Sequence, residues 1–503
     1  MAIRSVIRRG SSRSAASRPT QGSPPAPQTL REAWIALVGL SAVFLFEMLD
    51  NSILNVALPT IGRELSASTT ALQWVTGAYA VVFGGLMLAF GAVADRVGRR
   101  KIMLIGLVLL GLTSLSTALV TTAGELIIVR ATMGVAAAMT TPGSMALAFR
   151  LFDDNALRVR ATTVISTVGM IGLAIGPTAG GVALSFVPWQ ALLLVNVPVA
   201  ALAFVGIGRG IPADRSAELH RDPVDVIGAL LGTATVVLAL ISPTLLVDLG
   251  ARSSLPWLAI AAASLAAIGF VVRQRTAVHP LLDLSLIAQP LVSSGLAFKA
   301  AAGLATAGLG YLITLQLQFG WGWTAAEASL GMLPQVAVLL AGSALIGPMI
   351  KRVGLDRAAW ISAAAVVCGL AVYAALGRYG YGWVALSLAF VAVGMRVVGV
   401  VAGNNVMRGL PANRTTIGAA LIDTASEVTT GIGIAVAGTI IAALFTGSIT
   451  RSAWSAAQSV QFEHAIGWAA LALTVLAGAL VGCAMTRART GGDAVSNQDH
   501  LRS

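Results

Sequence analysis

Seven charged side chains fall inside long apolar stretches of this 503-residue sequence, where charge is costly. They are Glu47, Asp50, Arg130, Lys299, Arg396, Asp423 and Glu427. Placing Asp, Lys or Arg at the centre of a membrane helix costs about 2.5–3.5 kcal/mol on the insertion scale. Such residues are retained where they pair with other polar groups or serve the passage of ions and protons.

The four acidic members of this set form two helical pairs. Glu47 and Asp50 are three residues apart, and Asp423 and Glu427 are four residues apart, so each pair lies on one helical face. An apolar surrounding and a like-charged neighbour both favour the neutral carboxyl group. We therefore expect these carboxyl groups to bind and release protons near neutral pH.

Five of the charged residues keep a second interpretation at this point. Asp423 and Glu427 are either functional acids or structural ones. Glu47 is either an acidic contact for cationic substrates or a mark of a polar cavity without a role. Lys299 and Arg396 are interpreted as structural partners of buried acids or of polar backbone groups.

The composition identifies the elements that carry these residues as membrane helices. Hydrophobic residues make up 56% of the chain, charged residues 11%, and the mean hydropathy is +0.84. A soluble domain carries about 25% charged residues. A helical span needs about 17–25 apolar residues. Fourteen such stretches are predicted, near 33–58, 70–94, 102–121, 124–148, 161–185, 189–208, 224–247, 255–272, 291–318, 325–350, 358–377, 381–403, 416–445 and 466–486.

The positive charges predict the topology. With the N-terminus inside, 26 of the 33 Lys and Arg residues fall in cytoplasmic segments and four in external loops. The net charge of +12 is thus explained by topology rather than by nucleic-acid binding. We expect a multi-pass protein with both termini in the cytoplasm.

A repeated string divides the chain. The pattern G-x-x-x-x-R-V-G occurs at 91–98, after the second span, and at 347–354, after the tenth. Repeats of this kind build two-bundle transporters. The predicted domains are a disordered cytoplasmic tail (1–32), a six-helix bundle (33–209), two inserted helices with flanking loops (210–290), a second six-helix bundle (291–486) and a cytoplasmic tail (487–503). The Arg- and Ser-rich stretch 1–30 also has the composition of an organelle transit peptide.

The loop after the second span carries the most specific motif. It reads G-A-V-A-D-R-V-G-R-R-K from Gly91 to Lys101, with glycines that permit a tight turn between helices. The string resembles the signature loop of the major facilitator superfamily. The resemblance implies an all-α membrane fold of two six-helix bundles, here with two additional helices between them. It also implies a role in conformational gating for Gly91, Asp95, Arg96, Gly98, Arg99 and Arg100.

The fifth span resembles the antiporter motif of the same superfamily. Its sequence is G-x-x-x-G-P-x-x-G-G, where Pro177 removes a backbone donor and the glycines permit close helix contact. The resemblance assigns gating roles to Gly172, Gly176, Pro177, Gly180 and Gly181. It favours export over uptake.

The first span is similar to the fourteen-span drug:proton antiporter branch through L-D-N-S-I-L-N-V-A-L-P at 49–59. Arg130-Ala-Thr-Met133-Gly134 resembles the R-x-x-Q-G motif, whose arginine handles protons, but Met133 replaces the usual Gln. The resemblance implies proton coupling by Asp50 and Arg130, with Glu47, Asp423 and Glu427 as further candidates. The candidate substrate contacts are Glu47, Asp50, Asn55, Gln73, Trp74, Tyr79, Met133 and Gln316.

The expected function is proton-coupled export of small amphipathic or cationic organic compounds across the bacterial cytoplasmic membrane. We expect a monomer that binds substrate and protons, with no metal, no cofactor and no nucleic-acid partner. The alternative is a dedicated exporter of one metabolite, antibiotic or lipid. A membrane-embedded enzyme would need a catalytic motif, and a receptor would need large soluble domains; the sequence has neither. It also lacks the phosphate loop of an ATP-driven pump.

Overall fold

A computed structural model describes residues 27–152, 154–214, 225–410, 415–451 and 454–500. Within these ranges every regular element is helical. Thirteen helices there are long and apolar enough to cross a membrane, which confirms the predicted membrane-helix fold class. Most of the predicted N-terminal tail lies outside the described residues.

The first group of helices, called here the N-terminal half, packs around its own core at one end of the bundle. Val195 separates α6 from α7, within the stretch predicted as a single sixth span, because Pro198 has no N–H to donate to the preceding turn. The helices are α1 Trp34–Glu64, α2 Thr69–Val97, α3 Arg99–Ser116, α4 Ala123–Leu151, α5 Asn155–Ala183, α6 Trp189–Leu194 and α7 Asn196–Gly210.

Two long helices and a short one follow: α8 Val226–Leu249, α9 Ser254–Thr276 and α10 Leu284–Ala288. Asp225 caps α8 by accepting from the Gly228 N–H at 3.0 Å, and it forms an ion pair with Arg273 of α9 at 2.9 Å. Thr233 of α8 donates to the Gly85 carbonyl at 2.9 Å. The Asp225–Arg273 ion pair therefore links α8 to α9 at one end, and the Thr233 hydrogen bond links α8 to α2.

The last group, called the C-terminal half, departs from prediction at one span. The stretch 325–350 was expected to be one helix, but α12 ends at Gly331 and α13 begins at Leu333. Pro334 lacks the N–H that would continue α12. The predicted span is therefore interrupted at one residue, Met332. The helices are α11 Pro290–Leu315, α12 Ala325–Gly331, α13 Leu333–Val353, α14 Leu355–Leu376, α15 Tyr381–Gly409, α16 Thr415–Leu444 and α17 Ala456–His500.

Among the described residues, the largest core that the two halves share lies at one end. One cluster of buried residues joins Leu54 and Leu58 of α1 with Leu312 of α11 and Ile441 of α16. At the opposite end each half has its own cluster, around Phe46 in the N-terminal half and around Phe298 in the C-terminal half. The bundle is thus closed at the end that holds Leu58, and we call this the closed end.

Candidate functional site

The centre of the N-terminal half contains a fully buried ion pair. Arg130 Nη1 of α4 lies 2.5 Å from Asp50 Oδ2 of α1, and neither side chain is exposed. Asn196 of α7 donates to the other Asp50 oxygen at 2.7 Å. Both carboxylate oxygens therefore have a donor, as a charge removed from water requires.

The guanidinium of Arg130 is held by three further contacts. Its Nε donates to the Val75 carbonyl of α2 at 3.3 Å, its Nη1 lies 3.8 Å from Met133 Sδ, and its Cζ lies 4.6 Å from the centroid of the Tyr79 ring. Arg130 Nη2 and the Tyr79 hydroxyl have no hydrogen-bond partner in the described part of the chain. The site thus keeps donor capacity beyond that used by Asp50.

A second group of charged residues contains members from both halves. Glu47, on α1, accepts from the Thr141 hydroxyl of α4 at 3.1 Å. Its carboxyl group interacts electrostatically with Asp423 and Glu427 of α16 and with Lys299 of α11. We call Glu47, Asp423, Glu427 and Lys299 the interhalf cluster.

The helices that carry the interhalf cluster lie in close contact with their neighbours. A Cβ atom added to Gly303 of α11 would lie 2.7 Å from the Ser426 carbonyl oxygen, so these helices touch one turn from Lys299 and Asp423. A Cβ atom at Gly84 of α2 would lie 3.1 Å from the Glu427 Cβ. Glu427 Oε2 is buried without a partner among the described residues. Three carboxyl groups facing one ammonium can hold protons or a cation.

Several predicted substrate contacts lie apart from this cluster. Gln73 bonds with Thr244 of α8 at 3.3 Å and with Thr439 of α16 at 3.4 Å, which ties the inserted helices to both halves. Trp74 packs against the apolar contact between α8 and α16. Asn55 is half-buried.

Gln316 is buried among residues of the C-terminal half alone. It accepts from the Tyr373 hydroxyl at 2.6 Å and donates to the Gly377 carbonyl at 2.9 Å, within the C-terminal half at the closed end. It is therefore not part of the interhalf cluster.

The predicted gating loop forms a tight ionic turn between α2 and α3. Asp95 pairs with Arg99, the first residue of α3, at 2.6 Å. Gly98 has φ +117°, which a side chain would disfavour. Arg96 is exposed, and Gly91 lies against Pro142 of α4.

The acceptor that secures this loop, Asp214, was not predicted from the sequence. Asp214 accepts from the Arg100 backbone N–H at 3.0 Å and forms an ion pair with Arg150 at 3.0 Å. Arg100 also donates to the Gly208 carbonyl at 2.6 Å. Asp214 could have been indicated by its position as an acidic residue in a basic loop.

Asn196, which donates to Asp50, could have been indicated in a similar way, because it is a polar residue in a predicted span. Nothing in the sequence singled out Thr141.

The glycines of α5 face two different helices. Cβ atoms at Gly172 and Gly180 would lie 2.9 Å and 3.2 Å from side-chain atoms of Leu45 and Ile53 of α1, and one at Gly176 would collide with the Ser52 side chain. A Cβ atom at Gly181 would lie 2.5 Å from the Ala325 carbonyl oxygen of α12. The helix continues through Pro177. The motif therefore touches α1 within its own half and α12 across the closed end.

Comparison with known proteins identifies the family. The model of the Major Facilitator Superfamily matches residues 40–434. The cephamycin export protein CmcT of Amycolatopsis lactamdurans is 31% identical over 404 residues, 80% of this chain and 79% of that protein. The multidrug efflux pump LfrA of Mycolicibacterium smegmatis is 29% identical over 443 residues, 85% of each chain.

Among solved structures, the chain is similar to a bacterial homologue of the human lysosomal transporter Spinster. The TM-score is 0.63 at 16% identity, and the match covers 92% of this chain and 98% of that one. At this identity the likeness supports the fold alone. Together with the family match, it agrees with the two-bundle architecture that the resemblance implied.

Proposed function

Since the chain belongs to the major facilitator superfamily, we propose that it exports small amphipathic or cationic organic compounds from bacteria in exchange for protons. The observation that carries the proposal is the interhalf cluster. Carboxyl groups from α1 and α16 act on one another across the contact between the halves. Relative movement of the halves changes the surroundings of these groups, so proton binding and substrate binding become linked.

The proposed cycle assigns roles to both charge groups. The interhalf cluster binds the cationic part of the substrate when its acids are ionised, and protonation releases the substrate. Asp50 and Arg130 sense protonation inside the N-terminal half, with Tyr79 and Met133 shaping the guanidinium environment. The closed end faces the outside in this orientation, both termini are cytoplasmic, and the monomer is the working unit.

The test uses the full chain in sealed liposomes with a fluorescent lipophilic cation. An imposed pH difference is expected to drive accumulation of the cation on the acidic side, because each proton moving down its gradient supplies the free energy. A protonophore should abolish accumulation. Glu47→Gln/Glu427→Gln should lose the pH response, whereas the exposed control Glu64→Gln should keep it. Accumulation that persists after the gradient collapses would refute proton coupling.

A dedicated exporter remains a second candidate, because relatives include proteins named for single antibiotics. The lincomycin resistance protein of Streptomyces lincolnensis is 30% identical over 331 residues. A susceptibility panel in a pump-deficient host separates the two. Protection against many unrelated cations supports multidrug export, and protection against one compound supports a dedicated exporter.

A further inference from the structure

A cavity lies within the C-terminal half, at the closed end. Its volume is about 580 Å³, and it is bounded by the end of α14, the start of α17 and the π turn 316–320 that follows α11. Gln316 and Tyr373, hydrogen-bonded to each other, are buried in its wall. The cavity is formed by one half alone and is separate from the interhalf cluster.

Aromatic side chains form much of the cavity wall. The lining includes Trp321, Trp454, Phe462 and Trp468 as well as Tyr373. The Trp454 and Phe462 rings are 4.7 Å apart between centroids, tilted at 51°, so their orientation is fixed by mutual packing. Aromatic ring faces attract organic cations, most strongly where water is excluded.

The polar lining of the cavity contains one carboxylate, with Arg378 and His464 beside it. Glu463 lines the cavity and forms no ion pair with a described residue. Arg378 also lines it, but its guanidinium lies 4.7 Å from the Tyr379 ring and donates to the Tyr379 hydroxyl at 2.6 Å. Glu463 is therefore the carboxylate available to a cation.

One buried hydrogen-bond donor indicates that the ligand should also carry an acceptor. Trp454 Nε1 is buried and has no acceptor within the described ranges. A buried N–H without a partner costs free energy that a ligand acceptor would recover. We propose that this cavity binds an amphipathic organic cation that carries a hydrogen-bond acceptor, independently of the interhalf cluster. The inference shares its ligand class with the proposed function but requires no transport.

The test measures binding to the full-length protein in lipid nanodiscs without any gradient. The probes are rhodamine 6G, an aromatic cation with an ester carbonyl, and tetraphenylphosphonium, an aromatic cation without an acceptor. Two classes of site are expected for each probe. Glu427→Gln should weaken one class, and Glu463→Gln should weaken the other for both probes by about threefold or more.

Trp454→Phe removes the indole N–H donor and keeps an aromatic ring at this position. It should weaken rhodamine 6G binding about threefold more than tetraphenylphosphonium binding, because both probes lose part of the cation–π attraction and only the first also loses the hydrogen bond from the indole N–H. Glu64→Gln and Trp257→Phe are matched controls, with exposed side chains outside the cavity. Unchanged binding of both probes in Glu463→Gln would overturn the inference, whereas a single class of site that weakens in Glu463→Gln and not in Glu427→Gln would support it. Because no gradient is used, failure of proton-driven export would leave this result untouched, and the reverse also holds.

Discussion

Asp50 and Arg130 carry charges that have no access to water, so each depends on the other. Breaking a buried pair by removing one partner costs about 3–5 kcal/mol, because the remaining charge stays uncompensated. Asn196 and the Val75 carbonyl satisfy part of the remaining hydrogen-bonding capacity. A structural role and a proton-handling role are therefore both consistent with the geometry, and a double mutant distinguishes them.

We expect Asp50→Asn to lower both thermal stability and transport. In Asp50→Asn/Arg130→Gln neither member of the pair leaves the other charge uncompensated, so the melting temperature should recover towards that of the unaltered protein. Proton-driven transport should stay absent, because the carboxyl group proposed to couple transport to protons is gone. The measurements are thermal unfolding in detergent and dye efflux from energised vesicles.

Asp248→Asn is the control for this pair, since Asp248 is an exposed acid at the end of α8 that accepts from Thr70 at 2.9 Å. It should change neither property greatly. If the double variant regains transport together with stability, Asp50 and Arg130 are only structural.

The charged residues could be found from the sequence, but their partners could not. Glu47, Asp50 and Arg130 stood out because charge inside an apolar stretch is costly. Asp50 and Arg130 are 80 residues apart, and Glu47 and Thr141 are 94 apart. Which residues meet depends on how α1 packs against α4, and helical periodicity within either helix does not specify that.

At the scale of single helices, α5 uses neighbouring glycines for different contacts. Gly176 faces α1 inside the N-terminal half, whereas Gly181 faces α12 across the closed end. A methyl group at the first position disturbs packing within a half, and a methyl group at the second pushes the halves apart. The two substitutions therefore separate stability from conformation.

We expect Gly176→Ala to lower the melting temperature, since its Cβ atom would also lie 3.0 Å from Ser52 Cβ. Gly181→Ala should instead open the closed end. The readout is labelling of Val56→Cys, a position 2% exposed in this structure, by a membrane-impermeant maleimide.

Ser52→Gly should restore the stability of Gly176→Ala because it removes the colliding atoms. Faster maleimide labelling is expected with Gly181→Ala and not with Gly176→Ala. Equal labelling rates in the two variants would contradict the assignment of Gly181 to the closed end.

Helix existence was predictable and helix continuity was not. Long apolar runs identified the spans because lipid requires them. The breaks between α6 and α7 and between α12 and α13 each precede a proline within three residues. Proline does not always end a helix: α5 continues through Pro177 and α1 through Pro59. Whether it breaks or bends the helix depends on tertiary contacts that satisfy the freed carbonyl group.

At the scale of the whole molecule, the closed end is held by polar contacts as well as by the shared core. Gln318 of the C-terminal half donates to the Val56 carbonyl at 2.9 Å, and Thr450 donates to the Ala67 carbonyl at 3.4 Å. These bonds must break if the halves rock about a central site. The structure thus represents one of at least two states that the proposed cycle requires.

A disulfide across the closed end should stop the cycle. A Cβ atom at Gly62 of α1 would lie 3.0 Å from Thr450 Cγ2, which brings the two positions close enough for a disulfide. In a Cys368→Ala/Cys483→Ala background, Gly62→Cys/Thr450→Cys should lose transport on oxidation and regain it on reduction. Each single cysteine variant should be insensitive to both treatments. Cross-linked protein that still transports would show that the halves need not separate at this end, and the rocking cycle would then be wrong for this protein.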